Sequence, residues 1–335
     1  MRYDAVAGGA RRMPLAVIGG VAALVWMGAA RRSGEPPSQV PPPDPPPSTI
    51  GNDPSPPAAS GIPFGPYHLP PDRFASLFTG TLETAKPARL AAVLRAAQAA
   101  RVRVVLFLAG SRKYYQNPDG SFSLELWKRR VDRFKDVDLT PYIRDGTVVG
   151  HYLLDEAHSR GNWNGTRVPF EDIEAAAAYS KARWPELTTF VRSPMTFLEG
   201  KRDWRYLDAG WAQFSNRFGT TPEETERYIE EQAEIARRLR LGLVAGLNLL
   251  DGGTGVSGRP GTKAGKWAMS GAEVAMWGTI LVSHPAVCGF FMWKYDSTYF
   301  AREDVRAAMA ELAARAASRP RTPCRVRRRV RGRGR

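Results

Sequence analysis

Thr147-Val-Val-Gly-His-Tyr-Leu-Leu-Asp-Glu156 is a nearly continuous apolar run that ends in two adjacent carboxylates. A strand buried on both faces reads this way, without the alternation of a strand that has one wet face. Seven further runs share the pattern, at residues 62–68, 77–83, 102–110, 187–192, 209–214, 243–250 and 287–293. They finish at His68, Glu83, Ser111 with Arg112, Arg192, Gln213, Asn248 with Asp251, and Trp293 with Asp296. From the third run onward, stretches of helical composition separate most of them. This is the pattern of an α/β protein, a (β/α)8 TIM barrel rather than a doubly wound open sheet. Its site is expected at the C-terminal rim, assembled from the ends of several strands.

The chain has 335 residues, enough for one barrel of about 250 residues with two further ends. Its formal charge of +15 suggests nucleic acid until it is apportioned along the chain. Residues 1–61 carry five Arg against four acids, residues 319–335 carry nine Arg and no acid, and the body keeps only +5. The basic character therefore belongs mainly to a tail that has no aromatic residue for base stacking, so no specific nucleic-acid partner is expected. Either the tail contacts a polyanion or it is simply solvated.

At the other end Arg11-Arg12 and Arg31-Arg32 flank an uncharged stretch, residues 13–30, at the short limit for a membrane span. It predicts export, with a membrane contact through residues 13–30 or a cleaved signal. The domain plan is a signal or anchor at 1–33, a Pro-rich extended linker at 34–60, the barrel at 61–317 and a disordered basic tail at 318–335. Cys288 lies in the last apolar run and Cys324 in the tail, so no disulfide between them is expected.

Two acids side by side at a low-dielectric barrel mouth repel, and one of them tends to keep its proton. A general acid can be made in this way. Strand four ending in Asp155-Glu156 and strand eight ending in Phe-Phe-Met-Trp293 resemble the (β/α)8 glycoside hydrolase superfamily. The similarity covers residues 61 to about 317 in pattern, but only strands four and eight in motif. In its large retaining group, strand four ends in Asn-Glu-Pro with the Glu as acid/base, and a Trp ending strand eight floors a sugar subsite. The resemblance thus implies Glu156 as acid/base, Asp155 in the place of the Asn, and Trp293 under the sugar.

The departure is at strand seven, where that group carries a nucleophilic Glu and this chain runs Gly-Leu-Asn248-Leu-Leu-Asp251-Gly-Gly. Asp251 and Asp296 are the candidates for the second carboxylate, although Asp251 also reads as a turn former before two glycines. Trp293, Gln213, Asn248, Arg192, His68 and Tyr114 are the expected contacts to a sugar. Arg192 and Arg112 suit a carboxylate on an acidic sugar or, alternatively, a rim acid such as Asp155. In an extended strand His151 and Asp155 share a face and Glu156 takes the other, which is not a helical zinc spacing. Neither metal nor cofactor is expected. The sequence thus points to an exported barrel that cleaves a poly- or oligosaccharide by carboxylate acid/base catalysis. The alternative is a noncatalytic carbohydrate-binding or cell-surface protein on a degenerate barrel, and a second carboxylate facing Glu156 decides between them.

Overall fold

The computed structural model describes residues 61–74 and 76–325. The expected anchor, the linker and the last ten residues of the tail lie outside the described residues. Eight strands overlap the eight apolar runs: β1 (Phe64–Pro66), β2 (Gly80–Glu83), β3 (Arg103–Leu106), β4 (Val148–Asp155), β5 (Thr188–Arg192), β6 (Ala209–Phe214), β7 (Gly242–Leu247) and β8 (Val287–Met292). They are parallel neighbours in the order β1-β8-β7-β6-β5-β4-β3-β2. Between β1 and β2 the ring closes through Thr79 N to Phe64 O at 3.0 Å, His68 N to Leu82 O at 2.9 Å, and a parallel bridge from Tyr67 to Leu82. These bonds nearly close the barrel and cover most of what would otherwise be two open sheet edges.

Outside the strands lie α1 (Pro87–Ala99), α2 (Leu124–Asp132), α3 (Thr140–Arg144), α4 (Phe170–Arg183), α5 (Met195–Leu198), α6 (Pro222–Leu239), α7 (Gly271–Ser283), α8 (Ser297–Phe300) and α9 (Glu303–Ser318). Local chemistry sets several of their starts. Thr221 caps α6 with Glu224 reciprocating, and Ser270 caps α7 with Glu273 reciprocating, so two orphan N–H groups are satisfied at each end. Pro87 and Pro222 open their helices, where a missing N–H costs nothing.

The lumen is filled by aromatic side chains from different strands. Tyr152 stacks on Phe190 at 5.5 Å and meets Trp211 edge-on at 5.6 Å, and Trp211 meets Phe291 at 6.4 Å. Burying each such ring stabilises the fold by about 1.5–3 kcal/mol, and the layer closes the barrel beneath the rim. Gly246 of β7 makes room for it, because a Cβ there would lie 1.6 Å from Phe291 O and 3.0 Å from Trp211 Nε1. Gly246→Ala should therefore push β7 and β8 apart and lower stability by about 1–3 kcal/mol, read from the urea midpoint. An unchanged midpoint would show that the lumen yields at this position.

The expectation that Cys324 lies in a detached tail without a bridge is corrected. Cys324 is disulfide-bonded to Cys288 of β8. The segment leading to it is held by Arg319, whose guanidinium donates to Val282 O at 2.8 Å, His284 O at 2.6 Å and Pro285 O at 3.0 Å. Carbonyls at the end of α7 have no helical partner, and an arginine can satisfy them. Arg325 likewise reaches Pro185 O at 3.1 Å. Such side-chain-to-carbonyl bonds leave no periodic trace in a sequence. Among the described residues no helix is long and apolar enough to cross a membrane.

Candidate active site

The C-terminal rim encloses a cleft of about 710 Å3, within the usual range for ligand sites. Tyr67 and Trp293 line it as a stacked pair, with centroids 4.9 Å apart and planes 17° from parallel. His68 lies against Tyr67 at 3.9 Å, in a left-handed conformation (φ 58°), and shares a hydrogen bond with Thr84. Burial, and then the charge of Lys294, push its imidazole down to about 4, so it is neutral at neutral pH. Asn248 also lines the cleft, paired through the backbone with Trp293, and its buried Oδ1 has no hydrogen-bond partner among the described residues. Tyr114 stands 47% exposed on the rim beneath the Arg130 guanidinium, 4.1 Å away.

Asp155 and Glu156 are clamped by two arginines. Arg192 Nε donates to Asp155 Oδ1 at 2.6 Å and its Nη2 lies 3.2 Å from Glu156 Oε1. Arg112 Nη1 lies 3.3 Å from Glu156 Oε2 and 3.7 Å from Asp155 Oδ2. Tyr152 OH and Asn162 Nδ2 add bonds of 2.6 and 2.8 Å to Asp155 and Glu156 respectively. Burial alone would raise the Glu156 carboxyl, but Arg192, the Asn162 hydrogen bond, Arg112 and Lys263 together hold it well below the ordinary carboxylate range. The repulsion expected between the two adjacent acids is offset, because two guanidinium groups stand against the pair.

Backbone geometry explains the clamp. The register between β4 and β5 shifts between Tyr152 and Asp155, and Glu156 takes a left-handed φ of 50°. Such a conformation is held only where surrounding bonds over-determine it, here including Trp163 Nε1 to Glu156 O at 3.0 Å. The shift also separates His151 from Asp155, against the expectation of a shared face. His151 bonds Ser180 of α4 at 2.8 Å in the helix layer, whereas Asp155 turns to Arg192.

The two candidate second carboxylates are engaged elsewhere. Asp251 lines the cleft, but its Oδ1 accepts from the N–H groups of Thr262 and Lys263 at 2.6 and 3.1 Å and its Oδ2 from Thr262 Oγ1 at 2.6 Å. It fastens the Gly-rich loop. Asp296 as second carboxylate is corrected: it caps α8 through Tyr299 N at 2.7 Å, lies 3.7 Å from Arg259, and is not among the cleft-lining residues. Glu83, whose carboxyl burial raises to about 7, does not line the cleft either. Gln213 accepts from Arg192 Nη1 and donates to Leu247 O, so it orients Arg192 from outside the cleft lining.

Trp163, Trp204 and Trp211 are buried in the core. Residues that sequence reasoning missed are Tyr67, Arg130, Arg133, Lys263 and Lys294, all on the cleft. Tyr67 was within reach, as it immediately precedes the strand-end His68. Lys294 likewise directly follows the strand-end Trp293, whereas Arg130, Arg133 and Lys263 carry no local mark, because only the closed barrel turns them towards one space.

No protein-family model matches the chain, and no curated protein matches it. Solved structures that share its fold include the following three. A candidate glycoside hydrolase from Parabacteroides distasonis aligns with a TM-score of 0.54 at 10% identity over 79% of this chain and 95% of that one. A beta-glucanase from Saccharophagus degradans aligns with a TM-score of 0.52 at 10% identity over 77% and 88%. The clostridial cellulose synthase subunit Z of Clostridioides difficile aligns with a TM-score of 0.50 at 11% identity over 74% and 99%. The chain thus has the (β/α)8 fold found in glycoside hydrolases, and identities this low speak for the fold alone.

Proposed function

We propose that the cleft binds a poly- or oligosaccharide outside the cytoplasm and holds it without cleaving it. The observation that carries this is Trp293 on the cleft, backed by the buried Tyr67, beside the Asp155–Glu156–Arg192–Arg112 clamp. Sugar rings pack their C–H faces on aromatic faces, while paired carboxylates and guanidinium groups bond the hydroxyls. Glycoside cleavage needs a carboxylic acid to protonate the leaving oxygen and a second carboxylate across from it. Glu156 is held ionised by its arginines, and both oxygens of Asp251 are occupied by the loop it anchors. Binding therefore fits the arrangement better than hydrolysis. Export follows from the uncharged stretch at residues 13–30 and the Pro-rich spacer after it.

The test is a glycan panel titrated by tryptophan fluorescence, with reducing ends assayed on the same samples. Saturable binding with no new reducing ends is expected. Product released by the wild type and abolished in Glu156→Gln would sink the noncatalytic reading. Trp293→Ala should weaken binding by about 1–3 kcal/mol, the range for truncating an aromatic anchor. Unchanged affinity with an intact fold would return Trp293 to a packing role.

A further inference from the structure

Seven cationic side chains border the cleft against three carboxylates. Arg112 and Arg192 are engaged with Asp155 and Glu156, and Asp251 is engaged with backbone N–H groups. Lys86, Arg130, Arg133, Lys263 and Lys294 remain, and among the described residues none of these five forms an ion pair with a carboxylate.

Arg130 and Arg133 stand three residues apart at the end of α2, a spacing at which like charges repel. The fold nevertheless holds them together: Arg130 Nε donates to Ala109 O at 3.1 Å and Arg133 Nη2 to Leu108 O at 3.4 Å, both carbonyls lying just beyond β3. Burial, and then the charge of Arg133, lower the proton affinity of Arg130, as expected for a cation that lacks its counter-ion. Lys263 is delivered by the loop that Asp251 fastens, and Lys294 follows Trp293 directly. Lys86 is the N-cap of α1, where the helix dipole adds positive potential. The cleft is thus bordered by positive charge from the β2, β3, β7 and β8 ends of the barrel that no ion pair takes up among the described residues, Lys263 also adding to the field on Glu156.

We propose that this cleft is selective for acidic saccharides, chains that carry carboxylate or sulfate groups. Their rings pack against the half-buried Trp293, which Tyr67 backs, and their anionic groups meet Arg130 and Arg133 on one wall and Lys263 and Lys294 on another. The inference rests on the saccharide-binding reading. An arginine fork matches a carboxylate or sulfate in two parallel bonds, which a neutral hydroxyl cannot do. A neutral chain would leave these five side chains without an ion-pair partner. Asp251 gains a purpose in this arrangement, since its bond to Lys263 N places that lysine at the site.

Hexagalacturonate, its methyl ester, a dextran sulfate oligosaccharide, cellohexaose and a single-stranded oligonucleotide would each be titrated against the full chain, at low and high salt. Hexagalacturonate or the sulfated chain should bind at least about tenfold, or about 1.4 kcal/mol, more tightly than the ester and cellohexaose. Which of the two binds more tightly identifies the anionic group. Salt should shrink the preference, because exposed charges are screened. The Arg-rich tail also attracts polyanions, so the ratio must collapse towards one in Arg130→Gln/Arg133→Gln/Lys263→Gln, with folding checked by its melting curve. A preference that survives that triple variant belongs to the tail and overturns the inference, as does an oligonucleotide that binds as tightly as the acidic sugars. Equal affinity for acid, ester and cellohexaose overturns it while leaving saccharide binding intact. Failure of every sugar to bind removes both.

Discussion

Arg192→Met should destabilise the barrel by about 3–5 kcal/mol at neutral pH, the range for removing one partner of a buried ion pair. The Arg192 side chain is 10% exposed and is the residue on which Asp155, Glu156 and Gln213 converge. Burial opposes its charge, but Asp155, Tyr152 and Glu156 outweigh burial and keep it protonated. Without it, Arg112, which is 30% exposed and 3.7 Å from Asp155, is the one ion-pair partner left to the two carboxylates among the described residues.

The pH dependence has a definite sign. Glu156 is depressed in the folded state, so its contribution is present above the unfolded carboxylate range and is lost as pH falls through the folded value. In Arg192→Met burial is less opposed and the Glu156 carboxyl moves up. The deficit relative to wild type should then shrink on acidification, once both proteins have protonated Glu156. Urea denaturation at pH 7 and across the acid limb measures both effects. A variant as stable as wild type at pH 7 would mean that the carboxylates accept water in place of the guanidinium. Arg192→Lys should recover part of the loss, since it restores the charge without the fork.

Reducing the Cys288–Cys324 bridge should cost a similar amount. The two residues are 36 apart, and closing a loop of that length stabilises by about 4 kcal/mol on the chain-entropy account. Cys324→Ser, or wild type in dithiothreitol, should show a lower denaturant midpoint than the oxidised protein. Cys288 sits near the start of β8, whereas the cleft opens beyond its end at Trp293. Saccharide affinity measured well below the melting temperature should therefore stay within error. An unchanged midpoint would show that the bonds from Arg319 hold the segment without the bridge.

The eight apolar runs were legible because burial on both faces of a parallel strand is a local property, repeated residue by residue. Their polar ends were legible for the same reason: Asp155, Glu156, Arg192, Asn248 and Trp293 line one cleft, whereas Glu83, Gln213 and Asp296 do not. The chemistry of that rim was not. Glu156 is ionised because Arg112 stands 44 residues before it and Arg192 closes from the next strand. Two adjacent acids read alone predict the opposite charge state. Asp251 and Asp296 looked equivalent as strand-end carboxylates until a loop and a helix N-terminus claimed them. The sequence by itself determined which stretches form the strands of the barrel and at which rim their polar ends lie. Only the tertiary structure decided which charges are compensated, because the energy of a charge depends on whatever stands within a few ångströms of it, and those neighbours come from anywhere in the chain.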